Sequence, residues 1–210
     1  MASNIGALGD FSSMPQIVLV KLRFMSYFAH LISNIPISML ITLLSDTHSH
    51  LGDDVIEHIK DSDEIWHAGD VGQPVILDRL KEIAPLRAVW GNIDGYEVKV
   101  ETEKDMIWEV EGLKIYMTHI GGYPGRYYKK PYHLIKKNQP GLFICGHSHI
   151  LKVMKDKEND LLHMNPGACG VIGFHQFRTF LKFEINDGKI EHLRAIDLGP
   201  RSKIDEAQIK

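Results

Sequence analysis

From Met39 onward, apolar and polar positions fall into blocks that predict an α/β fold. MLITLLS (39–45) is an unbroken apolar run that gives way to DTHSH, as a strand covered on both faces does before a loop. Residues 53–60 read as a helix with Asp53 or Asp54 near its start, and EIWHA (64–68) as a second strand that stops at Gly69-Asp70. A helix over 74–83 opens on Pro74, which suits a first turn. LRAVW (86–90) is a third strand and ends at Gly91-Asn92. The order strand-helix-strand-helix-strand predicts a parallel sheet with helical crossovers.

The second half changes character. DMIWEVEGLKIYMTH predicts two strands turning at Glu111-Gly112. Residues 126–138 read as a helix that Pro131 breaks or restarts, and LFIC (142–145) as a strand leading into Gly146-His147-Ser148-His149. ILKVMKD, LLHMN, FRTFLKFEI and KIEHLRAI follow as strands, with Asn186-Asp187-Gly188 as a turn. These predict a mostly antiparallel sheet, so that two sheets pack together with helices on the outer faces.

The flanks read differently. Residues 1–15 are small, polar and aperiodic, and Phe24, Phe28, Leu31, Ile32 and Ile35 predict a short amphipathic helix ended by Pro36. Lys21, Arg23 and His30 interrupt the apolar run, which is too short and too charged for a membrane span, and no small-residue cleavage site follows it. The expected organisation is an N-terminal extension or upstream start over 1–38, one domain over 39–198, and a frayed polar tail over 199–210.

Composition narrows the classes. The chain has 210 residues, 44% of them hydrophobic and 24% charged, enough for one globular core. A net charge of −3 provides no broad positive field for nucleic acid or acidic lipid. The two cysteines, Cys145 and Cys169, form no Cys-x-x-Cys pair, which argues against a thiolate zinc site or a disulfide framework and for a reducing, cytoplasmic setting. Histidine is abundant, at 12.

The predicted strand ends carry Asp46-x-His48, Gly69-Asp70, Gly91-Asn92-x-Asp94, Thr118-His119 and Gly146-His147-x-His149. Taken singly, each residue reads as a cap, a turn or a core histidine. Five strand ends offering ligand-type side chains to one edge do not, and open α/β sheets build their sites at that edge. Oxygen and nitrogen donors without thiolate suit manganese first, then zinc, iron, nickel or cobalt, rather than calcium. Seven donors exceed one tetrahedral metal and suit two metals sharing a carboxylate. A glycine before Asp70, Asn92 and His147 permits a sharp turn that aims the next side chain back at the metals. His50, His67, His163, His175 and Arg126 are further candidates around the cleft.

The ordered set DTH, GD, GNID, TH and GHSH closely resembles the calcineurin-like metallophosphoesterase superfamily, over residues 39–198. The short chain and Asn165-Pro166-Gly167 are similar to its small YfcE-type phosphodiesterases. The resemblance implies a four-layer α-β-β-α sandwich of two mixed sheets. It implies Asp46, His48, Asp70 and His149 at one metal and Asp70, Asn92, His119 and His147 at the other, with Asp70 bridging. It further implies a phosphodiesterase using a metal-bridging hydroxide, with Asn92, Asp94 and His119 in catalytic roles, Asp94 by orienting a ligand histidine. Where many members carry a protonating histidine after Gly-Asn, this chain has Ile93. The expected partner is a small phosphate ester, without stable nucleic-acid binding or a membrane, and with a dimer or higher oligomer open. A weakly active metal-binding scaffold for protein contacts and a nuclease are the rival readings.

Overall fold

The computed structural model describes residues 38–201. The helix expected over Phe24–Ile35 lies outside them. The first sheet has the order β12-β11-β1-β2-β3, built from β1 (Met39–Leu44), β2 (Glu64–His67), β3 (Leu86–Ala88), β11 (Phe177–Asn186) and β12 (Lys189–Pro200). The second has the order β4-β5-β8-β10-β9, built from β4 (Asp105–Val110), β5 (Leu113–Thr118), β8 (Leu142–Ile144), β9 (Leu151–Asp156) and β10 (Leu161–Pro166). Strands β6 (Gly122–Tyr123) and β7 (Arg126–Tyr127) form a separate ribbon. The helices are α1 (Asp53–Ile59), α2 (Val75–Lys81), α3 (Tyr96–Glu101) and α4 (Lys129–Asn138).

Side-chain alternation along each strand builds the layers. Ile41 and Leu43 face Ile115, Met117, Leu142 and Ile144 of the other sheet, with Trp66 and Phe183 in the same inner core. Leu44, Ile65 and Phe180 emerge on the opposite face, where Val55 and Ile59 of α1 and Ile76, Leu77 and Leu80 of α2 cover them. Ile135 of α4 covers Tyr116 and Phe143 on the outer face of the second sheet. The result is the expected α-β-β-α sandwich. It also explains why β1 is apolar at successive positions: both of its faces are covered.

The parallel run β1-β2-β3 is as predicted. Both predicted turns form, with Glu111 (φ 46°), Gly112 (φ 79°), Asp187 (φ 46°) and Gly188 (φ 74°) in the left-handed region that two-residue hairpins require.

Three expectations are corrected. The second-half strands do not form one mostly antiparallel sheet. β5, β8 and β10 run parallel, and the β11–β12 hairpin leaves to pair with β1. Buried on both faces, the unbroken run of β8 suits a central parallel strand. Residues 126–128 belong to the β6–β7 ribbon and its exit, so the helix begins at Lys129; Pro131 falls in its first turn and breaks nothing. The sequence does not predict the short α3, and β12 continues to Pro200, four residues past the expected strand KIEHLRAI (189–196).

Candidate metal centre

Each ligand-type residue follows a strand at one edge of the sandwich. Asp46 and His48 follow β1, Asp70 follows β2, Asn92 and Asp94 follow β3, His119 follows β5, and His147 and His149 follow β8. Backbone bonds tie the loops to one another: Asp46 N–H donates to Gly69 O (2.9 Å), His48 N–H to Asp70 O (3.0 Å) and Gly146 N–H to His119 O (3.0 Å).

The side chains converge as two clusters. The donor atoms of Asp46, His48 and His149 lie within 4.8 Å of one another, and so do those of Asp70, His119 and His147. Asp70 belongs geometrically to both. Its Oδ2 is 3.7 Å from His48 Nε2, and its Oδ1 is 3.2 Å from His119 Nε2. Asn92 and Ile93 line the same cleft, a cavity of about 380 Å³, beside His147 and His149.

This arrangement is under-satisfied without cations. Asp46 Oδ1 and His119 Nε2 are buried and make no hydrogen bond among the described residues. His48 Nε2 and His149 Nε2 stand 3.2 Å apart, two nitrogens of the kind that coordinates metal. Buried polar atoms ordinarily have partners, so orphans facing one another fit a bound ion. His119 Nδ1 lies 2.8 Å from Ala68 O, which makes Nδ1 the donor and leaves the Nε2 lone pair for a metal. Asp46 Oδ2 accepts from Ser45 Oγ (2.5 Å) and from the His147 amide (3.1 Å), which turns Oδ1 toward the histidines. The residues fit a pair of divalent cations.

Electrostatics agree with the placement. Burial lowers the pKa of His48 and of His147, favouring the neutral, ligating form. Burial also works to lower that of His119, but the Asp70 and Asp46 carboxylates outweigh it and the net shift is upward. Burial tends to raise the Asp70 pKa, and His119 with the Ile93 amide reverses it, so Asp70 is held ionised.

The backbone is shaped for this purpose. Asp46, His48, Asp70, His147 and His149 all have φ between 47° and 68°, a region that non-glycine residues occupy at a cost. The reason for glycine before a ligand differs by position. Gly69 has φ 95° and supplies a turn. At Gly91 a Cβ would strike Asp70 Oδ1, and at Gly146 it would strike Ser45 Oγ and approach Asp46 Oδ2. These two are required by close approach rather than by conformation.

Several residues brace the candidate ligands. His67 Nδ1 accepts from the Gly69 amide (3.2 Å), and its Nε2 lies 3.0 Å from Thr47 Oγ1, which donates to Val71 O (2.9 Å). One neutral tautomer satisfies this chain, and burial pushes the His67 pKa down to about 4. Asn165 Nδ2 donates to Gly146 O (2.8 Å) and Ser148 Oγ (3.1 Å), steadying the Gly-His-Ser-His loop. The Asp94 carboxylate accepts from the backbone amides of Val71, Gly72 and Gly91, and no ligand histidine is among these partners. It organises the loop behind Asp70. His175 lines the cleft, with Nδ1 3.1 Å from His149 Nδ1. Its place in the cleft is as expected, but its pairing with His149, 26 residues away along the chain, is not legible in the sequence. Arg126 is exposed on β7, and neither it nor His50 is among the residues lining the cleft.

The comparisons agree. A model of the calcineurin-like phosphoesterase superfamily domain matches residues 39–188. A probable metallophosphoesterase of Methanothermobacter thermautotrophicus is 31% identical over 135 residues, covering 62% of this chain and 77% of that protein. A structurally and functionally characterised archaeal phosphodiesterase superposes with a TM-score of 0.62 at 24% identity, covering 76% of this chain and all of that one. Zinc-complexed Vps29 from Entamoeba histolytica superposes with a TM-score of 0.56 at 15% identity, covering 76% and 99% of the two chains. The match over most of the domain, with both clusters assembled at the sheet edge, makes the chain a member of the calcineurin-like phosphoesterase superfamily.

Proposed function

We propose that the chain is a phosphodiesterase that uses two divalent transition-metal ions, manganese before zinc, iron, nickel or cobalt. Asp46, His48, Asp70 and His149 hold one ion, and Asp70, Asn92, His119 and His147 hold the other. The observation that carries this reading is Asp70, whose two carboxylate oxygens each face a different histidine cluster. When bound, such a pair supplies an activated water nucleophile and neutralises charge developing on the phosphoryl oxygens.

The chain's own residues set the rest. The Ala68 carbonyl fixes the His119 tautomer so that Nε2 can ligate. Asn92, exposed at the cleft, offers a neutral amide to the second ion or to a substrate oxygen. Asp94 acts through the loop that positions Asp70. Ile93, half-exposed where a protonating histidine would stand, cannot give a proton to the leaving oxygen. Turnover then depends on the leaving group departing unaided, so aryl esters outpace alkyl esters, and diesters, with one charge fewer and a second group to anchor, outpace monoesters. Buried Cys145 and Cys169, with thiol pKa values pushed up to about 12, take no part and accord with a cytoplasmic setting.

The test is a screen of aryl and alkyl phosphate mono- and diesters with manganese, magnesium, zinc and nickel added in turn. Metal-dependent hydrolysis, fastest for aryl diesters, is expected. No turnover with any metal would leave the protein-binding scaffold as the better reading, and cleavage of plasmid or single-stranded DNA in preference to small esters would make it a nuclease.

A further inference from the structure

A second cavity, of about 150 Å³, adjoins the metal cleft and shares His147, Ser148 and Ile150 with it. It is smaller than the roughly 300–1,000 Å³ of whole-ligand pockets, and so suits one substituent of a larger molecule. Tyr123, Tyr128, Lys152 and His163 are among its walls.

Two of these walls carry polar groups with no hydrogen-bond or ion-pair partner among the described residues. Lys152 lies on the edge strand β9, opposite Asn165, with its ammonium 4.1 Å from the centre of the Tyr123 ring. Lys155 on the same strand pairs with Asp160, and Lys130 with Asp105, whereas Lys152 joins no ion pair among the described residues. His163 is 1% exposed, packed against Phe143 and Tyr127, and its Nδ1 has no hydrogen-bond partner among the described residues. An orphaned ring nitrogen inside a core is uncommon. Burial and the nearby Lys152 charge hold the His163 pKa near 4, so the ring is neutral and keeps one N–H to donate. The amide of Asn165 also borders the cavity, but Gly146 O, Ser148 Oγ and the Gly167 amide already engage it.

We propose that this cavity is a subsite for the second ester substituent of the substrate, and that it takes a short apolar arm ending in an anionic oxygen group, a carboxylate or a phosphate. The aromatic and aliphatic walls pack the arm. The Lys152 ammonium and the His163 N–H receive its terminal oxygens. The substrate class becomes a phosphodiester that carries a second negative charge a few bonds from the scissile phosphorus. This rests on the dinuclear phosphodiesterase reading, because the phosphoryl end must be seated in the metal cleft that His147 and His149 line.

The test is calorimetric titration of the zinc-loaded full chain with alkyl phosphonates a few carbons long, each compared with its counterpart bearing a terminal carboxylate or a terminal phosphonate. At one chain length the ligand with the second anionic end should bind about tenfold more tightly than the methyl-terminated one, and the preferred end group assigns the class. The ratio should fall toward unity in Lys152→Met and shrink in His163→Phe. Equal affinities in the unaltered chain, or a preference that survives both substitutions, overturn the subsite while leaving the metal centre intact. Failure of every phosphonate to bind overturns the phosphoester reading and the subsite together.

Discussion

His149 and His175 face each other through their Nδ1 atoms at 3.1 Å, and the far nitrogen of His175 lies 3.1 Å from the Gly170 carbonyl. A carbonyl only accepts, so His175 Nε2 carries a proton and its Nδ1 offers a lone pair. His149 Nδ1–H donates to that lone pair, which leaves His149 Nε2 free, 3.1 Å from Asp46 Oδ1. A neutral imidazole thus fixes the tautomer of a proposed metal ligand.

His175→Ala should therefore weaken metal binding at the Asp46–His48–His149 cluster by about 10- to 100-fold, the usual cost of losing an outer partner of a ligand histidine. Stepwise titration with zinc should show one of two affinities dropping and the other holding. Two unaltered affinities would reduce His175 to a packing residue.

Asp70→Ala should abolish hydrolysis and bring bound manganese well below two ions per chain, because it strips a ligand from both clusters. His149→Ala removes a ligand from one cluster and should cost less. Elemental analysis alongside kcat/KM for an aryl diester checks both, and an active Asp70→Ala would refute the shared carboxylate.

Ile93→His should narrow the gap between aryl and alkyl diesters. The position lines the cleft and is about half exposed, so an imidazole there reaches solvent and substrate. General-acid assistance is typically worth about 10²–10⁴-fold, and a gain of even about tenfold for alkyl esters would support the leaving-group argument. An unchanged aryl-to-alkyl ratio would speak against it.

The metal-free protein should lose stability as pH falls below about 6.5. His67 and His163 are buried, and burial lowers each pKa from 6.5 to about 4. Between those values the unfolded chain binds protons that the folded chain does not. Stability present above pH 6.5 is therefore progressively lost on acidification, by about 2 kcal/mol per histidine on reaching pH 5. The melting temperature in chelator should drop by several degrees between pH 7 and pH 5, and less so in His163→Phe. A flat profile would mean that one or both rings are protonated at little cost in the fold.

A fragment spanning 38–201 should keep full metal affinity, and one ending at Leu198 should not. Arg201 donates from its side chain to His175 O (3.2 Å) and Val171 O (3.2 Å), strapping the loop that carries His175. Circular dichroism with zinc titration of both fragments decides this. Equal affinities would show the strap to be dispensable.

Much of this was legible in the sequence because it is local. Apolar runs ending in Asp-Thr-His, Gly-Asp and Gly-His-Ser-His announce buried strands and the loops behind them, and Glu111-Gly112 announces its own turn. What stayed hidden depends on partners far along the chain. Nothing in Phe174-His175-Gln176 indicates an approach to His149, 26 residues earlier. Strand direction in the second sheet is not legible, because hydrophobicity alone does not reveal that β5, β8 and β10 lie side by side. The Asp94 oxygens are engaged by backbone amides that no periodicity reveals. Helix α3 is only 6 residues long, and Tyr-Glu-Val-Lys-Val-Glu carries a strand-like alternation.

The left-handed backbone at Asp46, His48, Asp70, His147 and His149 has a consequence for how the molecule breathes. Each such residue costs about 1 kcal/mol or more, and all five sit on loops at one rim, above sheets whose cores do not share that strain. The amides of these loops should therefore exchange with deuterium fastest when chelator is present and slow markedly on metal addition, while those of β1, β2 and β8 exchange slowly in both states. The ions would then act as rivets on a sprung rim, and the sandwich beneath would stand without them.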